Sequence, residues 1–440
     1  MARKVFFILF LISLLVGFFY FRPLWTNNEP SPSLVDRIPE GDFLGRVFLL
    51  DVARESTPLT YHNKIPFRDL FSPEFMLAQA KSYGLDLQRP TYFFANETGE
   101  WGALIHVIDS SKIYSGVVRL QKNIELKDTL VGEQKVFSFI GKQSYLTYGK
   151  DWLFIYKGEN LTKWMYHVMY SKKGDATKVW KKFEKDKHFI KEKLVVYANS
   201  QKIIKKGFAT AMFAHDMDTS NFKVKIYMRT KNPLAISPKK EGLSFTDSAG
   251  KLLNLHFNMH KLRTAKNDPY YKMLQGLSKR ISFPLQSFLN AWEGDLSYYQ
   301  GGFINVKEKI IETALDENFN VSEKVVLKDK QVPSFALLFS INDKIQDLLY
   351  QLSVKGILRR EENKFRFLFS PPIKMNLTPE IVYFYSSDNV PKTTKINSNG
   401  GIWDYKGIRY EFKIDSMNQK ETFGTINLPA KGLFQILRTF

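Results

Sequence analysis

Two stretches far apart in this chain follow one plan, and that plan limits the fold more than any other feature. Residues 102–120, GALIHVIDSSKIYSGVVRL, run from an apolar strand through a polar corner at Asp109 into a helical pattern of Ile113, Val117, Val118 and Leu120. Residues 335–352, FALLFSINDKIQDLLYQL, repeat the order, with Asn342 and Asp343 at the corner and Ile345, Leu348, Leu349 and Leu352 beyond it. A Phe-rich strand follows each, FSFI at 137–140 and FRFLF at 365–369, and then the related phrases WLFIYKGEN at 152–160 and IVYFYSSDN at 381–389. The offset is 233 residues at the first strand and 229 at the last, the spacing of a duplicated unit. At both corners the polar side chain is placed to accept hydrogen bonds from the free N–H groups of the helix that follows, which is a structural task.

A chain of 440 residues exceeds what one core supports. The expected fold is α+β, an N-terminal transmembrane helix followed by two related α+β units with mainly antiparallel sheets. Residues 1–25 form the anchor, 26–42 a linker, 43–172 the first unit, 173–206 a basic helical bridge and 207–440 the second unit. Helical signals include SPEFMLAQAKSYGL at 72–85, with Ser72 as N-cap and Pro73 at the first helical position. FKVKIYMR at 222–229, LNLHFNMH at 253–260 and IRYEFKID at 408–415 alternate apolar with polar residues. Sheets with one wet face pair antiparallel.

The uncharged apolar run from Val5 to Phe21, preceded by Arg3 and Lys4, is long enough to cross a bilayer core. No small-residue cleavage pattern follows it, which favours an uncleaved signal anchor. The resulting address is a bacterial inner membrane, single-pass, with a cytoplasmic N-terminus and the bulk of the chain periplasmic. The chain has no Cys, which removes disulfides, thiolate nucleophiles and Cys-based metal sites. A formal net charge of +20 points to anionic partners. The expected partners are the lipid bilayer through residues 5–21, an envelope protein, and anionic lipid or peptidoglycan; nucleic acid is not expected at that address.

The candidate contact residues fall in two places. KKGDATKVWKKFEKDKHFIKEKLVVYANSQKIIKK at 172–206 carries twelve Lys against four acidic residues. Val179, Trp180, Phe183, Phe189 and Ile190 fall near helical spacing, so Lys178, Lys181, Lys182 and Lys185 line the polar face of an amphipathic helix. AWEGDLSYYQGGF at 291–303 brings Trp292, Glu293, Asp295, Tyr298 and Tyr299 beside two glycines, a combination that lines ligand sites and equally marks a tight packing corner. His256 and His260 stand four apart in a strand pattern, so the imidazoles lie about 13 Å apart on a solvated face. No G-x-S-x-G, Walker A or G-x-G-x-x-G sequence occurs, and no cofactor or metal ligand set is expected.

The opening IPEGDFLGRVFLLDV, the strand–Asp–Ser–Lys–helix unit, the AWEGDLSYY phrase and ENFNVSEKVVLKDKQVPSFALLFSIND at 317–343 together resemble an uncharacterised family of Bacteroidota envelope proteins. The resemblance implies tandem α+β repeats outside a membrane and carries no catalytic residues over. The function expected is non-catalytic, a binding or accessory subunit of an envelope assembly or export complex. Two rivals stand beside it: a hydrolase of peptidoglycan or glycan using Glu293 and Asp295, and a holdase or carrier of apolar cargo. An unfilled apolar groove between helix and sheet would mark the carrier.

Overall fold

A computed structural model describes residues 34–62, 73–121, 125–139, 143–172, 174–201, 208–217, 221–232, 235–237, 242–245, 250–264, 266–315, 321–361, 363–367, 371–387, 392–396, 399–405, 407–418 and 420–429. The chain divides into two compact units at the Arg229–Thr230 junction.

In unit 1 the strands are β1 (Phe43–Val47), β2 (Leu85–Asp86), β3 (Thr91–Ala95), β4 (Trp101–Val107), β5 (Leu126–Val131), β6 (Gln134–Phe139), β7 (Ser144–Tyr148), β8 (Trp152–Lys157), β9 (Leu194–Ala198), β10 (Phe208–Met217) and β11 (Asn221–Thr230). Its helices are α1 (Leu49–His62), α2 (Pro73–Ser82), α3 (Ser110–Gln121), α4 (Leu161–Tyr170) and α5 (Lys178–Lys185). One antiparallel sheet runs in the order β10–β9–β1–β3–β4–β8–β7–β6–β5. The short β2 pairs with the end of β4 beyond the stretch paired with β3.

Unit 2 contains β12 (Gly242–Phe245), β13 (Lys251–His256), β14 (Trp292–Leu315), β15 (Val321–Ile341), β16 (Leu358–Glu361), β17 (Lys364–Phe367), β18 (Lys374–Leu377), β19 (Ile381–Tyr385), β20 (Thr393–Ile396), β21 (Asn399–Tyr405), β22 (Ile408–Met417) and β23 (Glu421–Pro429). Its helices are α6 (Met259–Thr264), α7 (Pro269–Ile281), α8 (Leu285–Ala291) and α9 (Ile345–Val354). The sheet order is β23–β22–β21–β13–β14–β15–β19–β18, again antiparallel throughout. A bridge between Phe365 and Ile373 adds the β16–β17 hairpin.

Laid side by side, the two orders coincide. β10–β9–β1 matches β22–β21–β13, β2 and β3 together match the start of β14, and β4–β8–β7 matches β15–β19–β18. The agreement reaches single hydrogen bonds. Val107 N–H donates to the Asp151 carbonyl at 3.1 Å and Ile341 N–H to that of Glu380 at 2.9 Å, while Ile108 and Asn342 donate to Gly84 and Ala291. At the corners the accepting side chains stand one position apart: Asp109 Oδ1 accepts from Ser111 N–H, and Asn342, the counterpart of Ile108, accepts at Oδ1 from Lys344 N–H, each at 3.1 Å. One fold is used twice.

Two expectations are corrected. The fold class is not α+β with a transmembrane helix, because strand makes up 50% of the structure and helix 25%. The helical periodicities in the sequence mark short covers over sheets that hold most of the residues. The anchor at residues 5–21 lies outside the described residues, and no helix among them is long and apolar enough to cross a membrane. The longest of these, α1, has 14 residues, about 21 Å of rise against a hydrocarbon core of about 30 Å. The transmembrane, signal-anchor and inner-membrane readings are set aside on that finding.

Candidate functional site

In both units a helix crosses the sheet directly after the polar corner, and in both a cavity remains beneath it. In unit 2 the cavity measures about 230 Å³. Its roof is α9, through Ile345, Leu348, Leu349 and Leu352; its floor is β15 and β19, through Leu337, Phe339, Ile341, Val382 and Phe384. Phe283, Phe288 and Trp292 also line the wall, and every lining side chain is apolar. Helix periodicity explains the roof, since positions three and four apart stack on one face. The aromatic rings meet edge-on or tilted, with Phe288 5.0 Å from Trp292 and 5.6 Å from Phe339.

The unit 1 cavity is about 280 Å³ and lies under α3. Ile113, Gly116 and Val117 face it from the helix, Leu85, Leu146 and Leu153 from the strands, and Tyr83 and Arg119 complete the wall. The two cavities occupy one place in the repeated fold. Leu153 pairs with Ile105 as Val382 pairs with Phe339; Leu85 pairs with Val107 as Trp292 pairs with Ile341. Of these, Leu85 and Leu153 line the first cavity, and Trp292, Phe339, Ile341 and Val382 line the second. Packing in protein cores leaves few voids larger than a water molecule, so a void kept at matched positions under different side chains belongs to the architecture.

A second, polar cluster lies elsewhere in unit 2. His256 is fully buried, which corrects the solvated strand face expected for it, while His260 lies on α6. His256 Nδ1 is 3.0 Å from Asp295 Oδ1, and the His256 backbone N–H donates to Asn399 Oδ1 at 2.6 Å. Ser297 donates to Asn254 and accepts from Phe245 N–H. Among the described residues, His256 Nε2 and Ser244 Oγ are buried without hydrogen-bond partners. A Cβ on Gly242 would fall within 2.1 Å of the His256 ring, so only glycine lets β12 cover it. The His–Asp pair resembles the base and orienting acid of a hydrolytic triad, but both side chains are sealed from solvent.

The sequence candidates separate in space. Trp292 is buried in the unit 2 cavity wall with its Nε1–H donating to the Asp295 carbonyl at 2.8 Å. Gly294, at φ 110° and against the Phe257 carbonyl, forms the irregularity between Trp292 and Leu296 that sets this geometry. Asp295 belongs to the polar cluster, and Glu293 is exposed, accepting from Asn342 Nδ2 at 2.6 Å. Tyr298 and Tyr299 are neighbours in β14 and therefore face opposite sides; Tyr299 packs on Phe245, and burial pushes the Tyr298 phenol up. Lys178, Lys181, Lys182 and Lys185 lie on α5 in unit 1, all exposed over the buried Trp180 and Phe183. Lys181 Nζ donates to the Gly174 carbonyl and Lys182 Nζ to Tyr197 and Thr210. Sequence reading missed the cavity walls as a site because Leu, Phe and Val under a helix look the same whether they close on each other or leave a gap.

No family model matches the chain, and no curated protein matches it. Among solved structures, crystal form I of TP0453 is similar over 46% of this chain and 81% of its own, at 7% identity and a TM-score of 0.31. A likeness that slight bears on neither fold nor function.

Proposed function

We propose that this protein is a non-catalytic carrier of slender apolar ligands, held in the gap between helix and sheet of each unit. The observation that supports the reading is the pair of cavities at matched places in the two copies. Each exceeds the roughly 150 Å³ of an engineered apolar cavity that stays dry and binds benzene, and each falls just below the roughly 300–1,000 Å³ of drug-sized pockets. An acyl chain fits that description, since it needs length and dry walls but few polar contacts. The unit 1 wall adds Arg119, a permanent cation suited to a carboxylate or phosphate end. The net charge of +20 raises the local concentration of anionic amphiphiles.

Mass spectrometry of an organic extract of the purified full chain tests this. Acyl-bearing amphiphiles should co-purify, and their amount should fall in a variant with both gaps filled, Val117→Phe with Leu349→Trp. An extract free of apolar molecules, together with failure to bind an added fluorescent fatty acid, would rule the carrier out.

A further inference from the structure

The two cavities share a place in the fold but not a chemistry. Every side chain lining the unit 2 cavity is apolar, and its roof helix α9 carries a single charged residue, the exposed Asp347. Lys355, just beyond that helix, is engaged elsewhere, donating to the Ser282 carbonyl at 3.1 Å. In unit 1 the roof helix α3 carries two cations. Lys112 is paired with Asp109 at 3.3 Å, whereas Arg119 makes neither hydrogen bond nor ion pair among the described residues.

A cation in the last turn of a helix is favoured by the helix dipole wherever the helix lies. What distinguishes Arg119 is that it lines the cavity and is also exposed, so it stands where the apolar space meets water. An amphiphile whose tail fills that space brings its head to this point. The guanidinium offers a planar fork of donors matched to a carboxylate or phosphate, and it stays charged at any working pH. In unit 2 an anionic head finds no donor on the wall and must stay in water, because a charge drawn into a dry cavity without a partner is strongly disfavoured.

We infer, on the basis of the carrier reading, that the two copies differ in what they select: Arg119 makes the unit 1 cavity prefer anionic amphiphiles over neutral ones of the same length, while the unit 2 cavity selects on the apolar tail alone. Titration with a fluorescent fatty acid and with its methyl ester tests this, using Leu349→Trp to leave only the unit 1 cavity open and Val117→Phe to leave only that of unit 2. The ratio of acid to ester affinity should be about fivefold higher in the Leu349→Trp protein, the size of one exposed charge-assisted contact. Adding Arg119→Gln to that protein should weaken the acid by the same factor and leave the ester unchanged; added to the Val117→Phe protein it should change neither. Should a gap-filled variant fail to fold, Arg119→Gln in the otherwise unaltered chain should weaken one of two acid sites and neither ester site. Equal ratios in the two proteins, or a unit 1 preference that survives Arg119→Gln, would overturn the inference and leave the carrier reading standing. Binding of neither probe would overturn both.

Discussion

His106 carries the clearest single-residue consequence. It is buried at the end of β4 in unit 1, and burial, then the neighbouring Arg89 cation, depress its imidazole from 6.5 to about 4. The folded state therefore holds this ring neutral while the unfolded chain takes up a proton below pH 6.5. The unfolded state binds more protons in that window, so stability rises with pH there. The contribution is complete above about pH 6.5 and is lost as pH falls towards 4, a swing of about 3 kcal/mol. Denaturant unfolding of unit 1 followed from pH 7 to pH 4 should show that loss, and His106→Asn should flatten it; an equally steep profile in the variant would assign the loss to other groups. The place equivalent to His106 in unit 2 is Ser340, whose hydroxyl accepts from Asp295 N–H at 2.8 Å, so this titration belongs to one copy alone.

Among the elements, α3 and α9 decide what the fold can do. Each is short and held by its inward face, Ile113 and Val117 in one and Ile345, Leu348 and Leu352 in the other. Enlarging a half-buried roof residue fills space that is already vacant, so the overpacking cost of roughly 1–3 kcal/mol is avoided and a gain of about 0.5–2 kcal/mol is expected. Leu349→Trp should accordingly raise the melting temperature of the ligand-free protein, as differential scanning calorimetry would register. A lowered melting temperature would mean that the space is already occupied by its own walls. The change of period from two to about 3.6 made both corners legible in sequence, but the expected capping by Asn342 is not found, because the cap position of α9 is Lys344, which makes no side-chain cap bond, and Asn342 Oδ1 bonds the Lys344 N–H ahead of the helix. The end of β13 was not legible, because LNLHFNMH keeps alternating past His256 although the backbone turns into α6 at Met259. Alternation records burial, and a buried His fits its pattern as well as a solvated one. The long pairing of β14 with β15 was hidden for a related reason: VSEKVVLKDKQV alternates only in part, as expected of strands with both faces in water.

At the scale of the whole molecule the chain is one antiparallel fold written twice, with a helix–sheet gap in each copy. Repetition of order was visible in sequence over 102–160 and 335–389. Its extension to β1, β9 and β10 and to β13, β21 and β22 was not, because those strands share pairing partners rather than residues. Apolar groups under the helices recur at matched places, while the accepting side chains of the two corners stand one position apart. The measurement that bears most directly on this account is the binding stoichiometry of a fluorescent fatty acid, titrated into the delipidated full chain, into Val117→Phe, into Leu349→Trp and into the double variant. Two sites per chain, one in each single variant and none in the double variant are the predicted values. An unchanged stoichiometry across all four proteins would show that the paired cavities are not where apolar ligands bind.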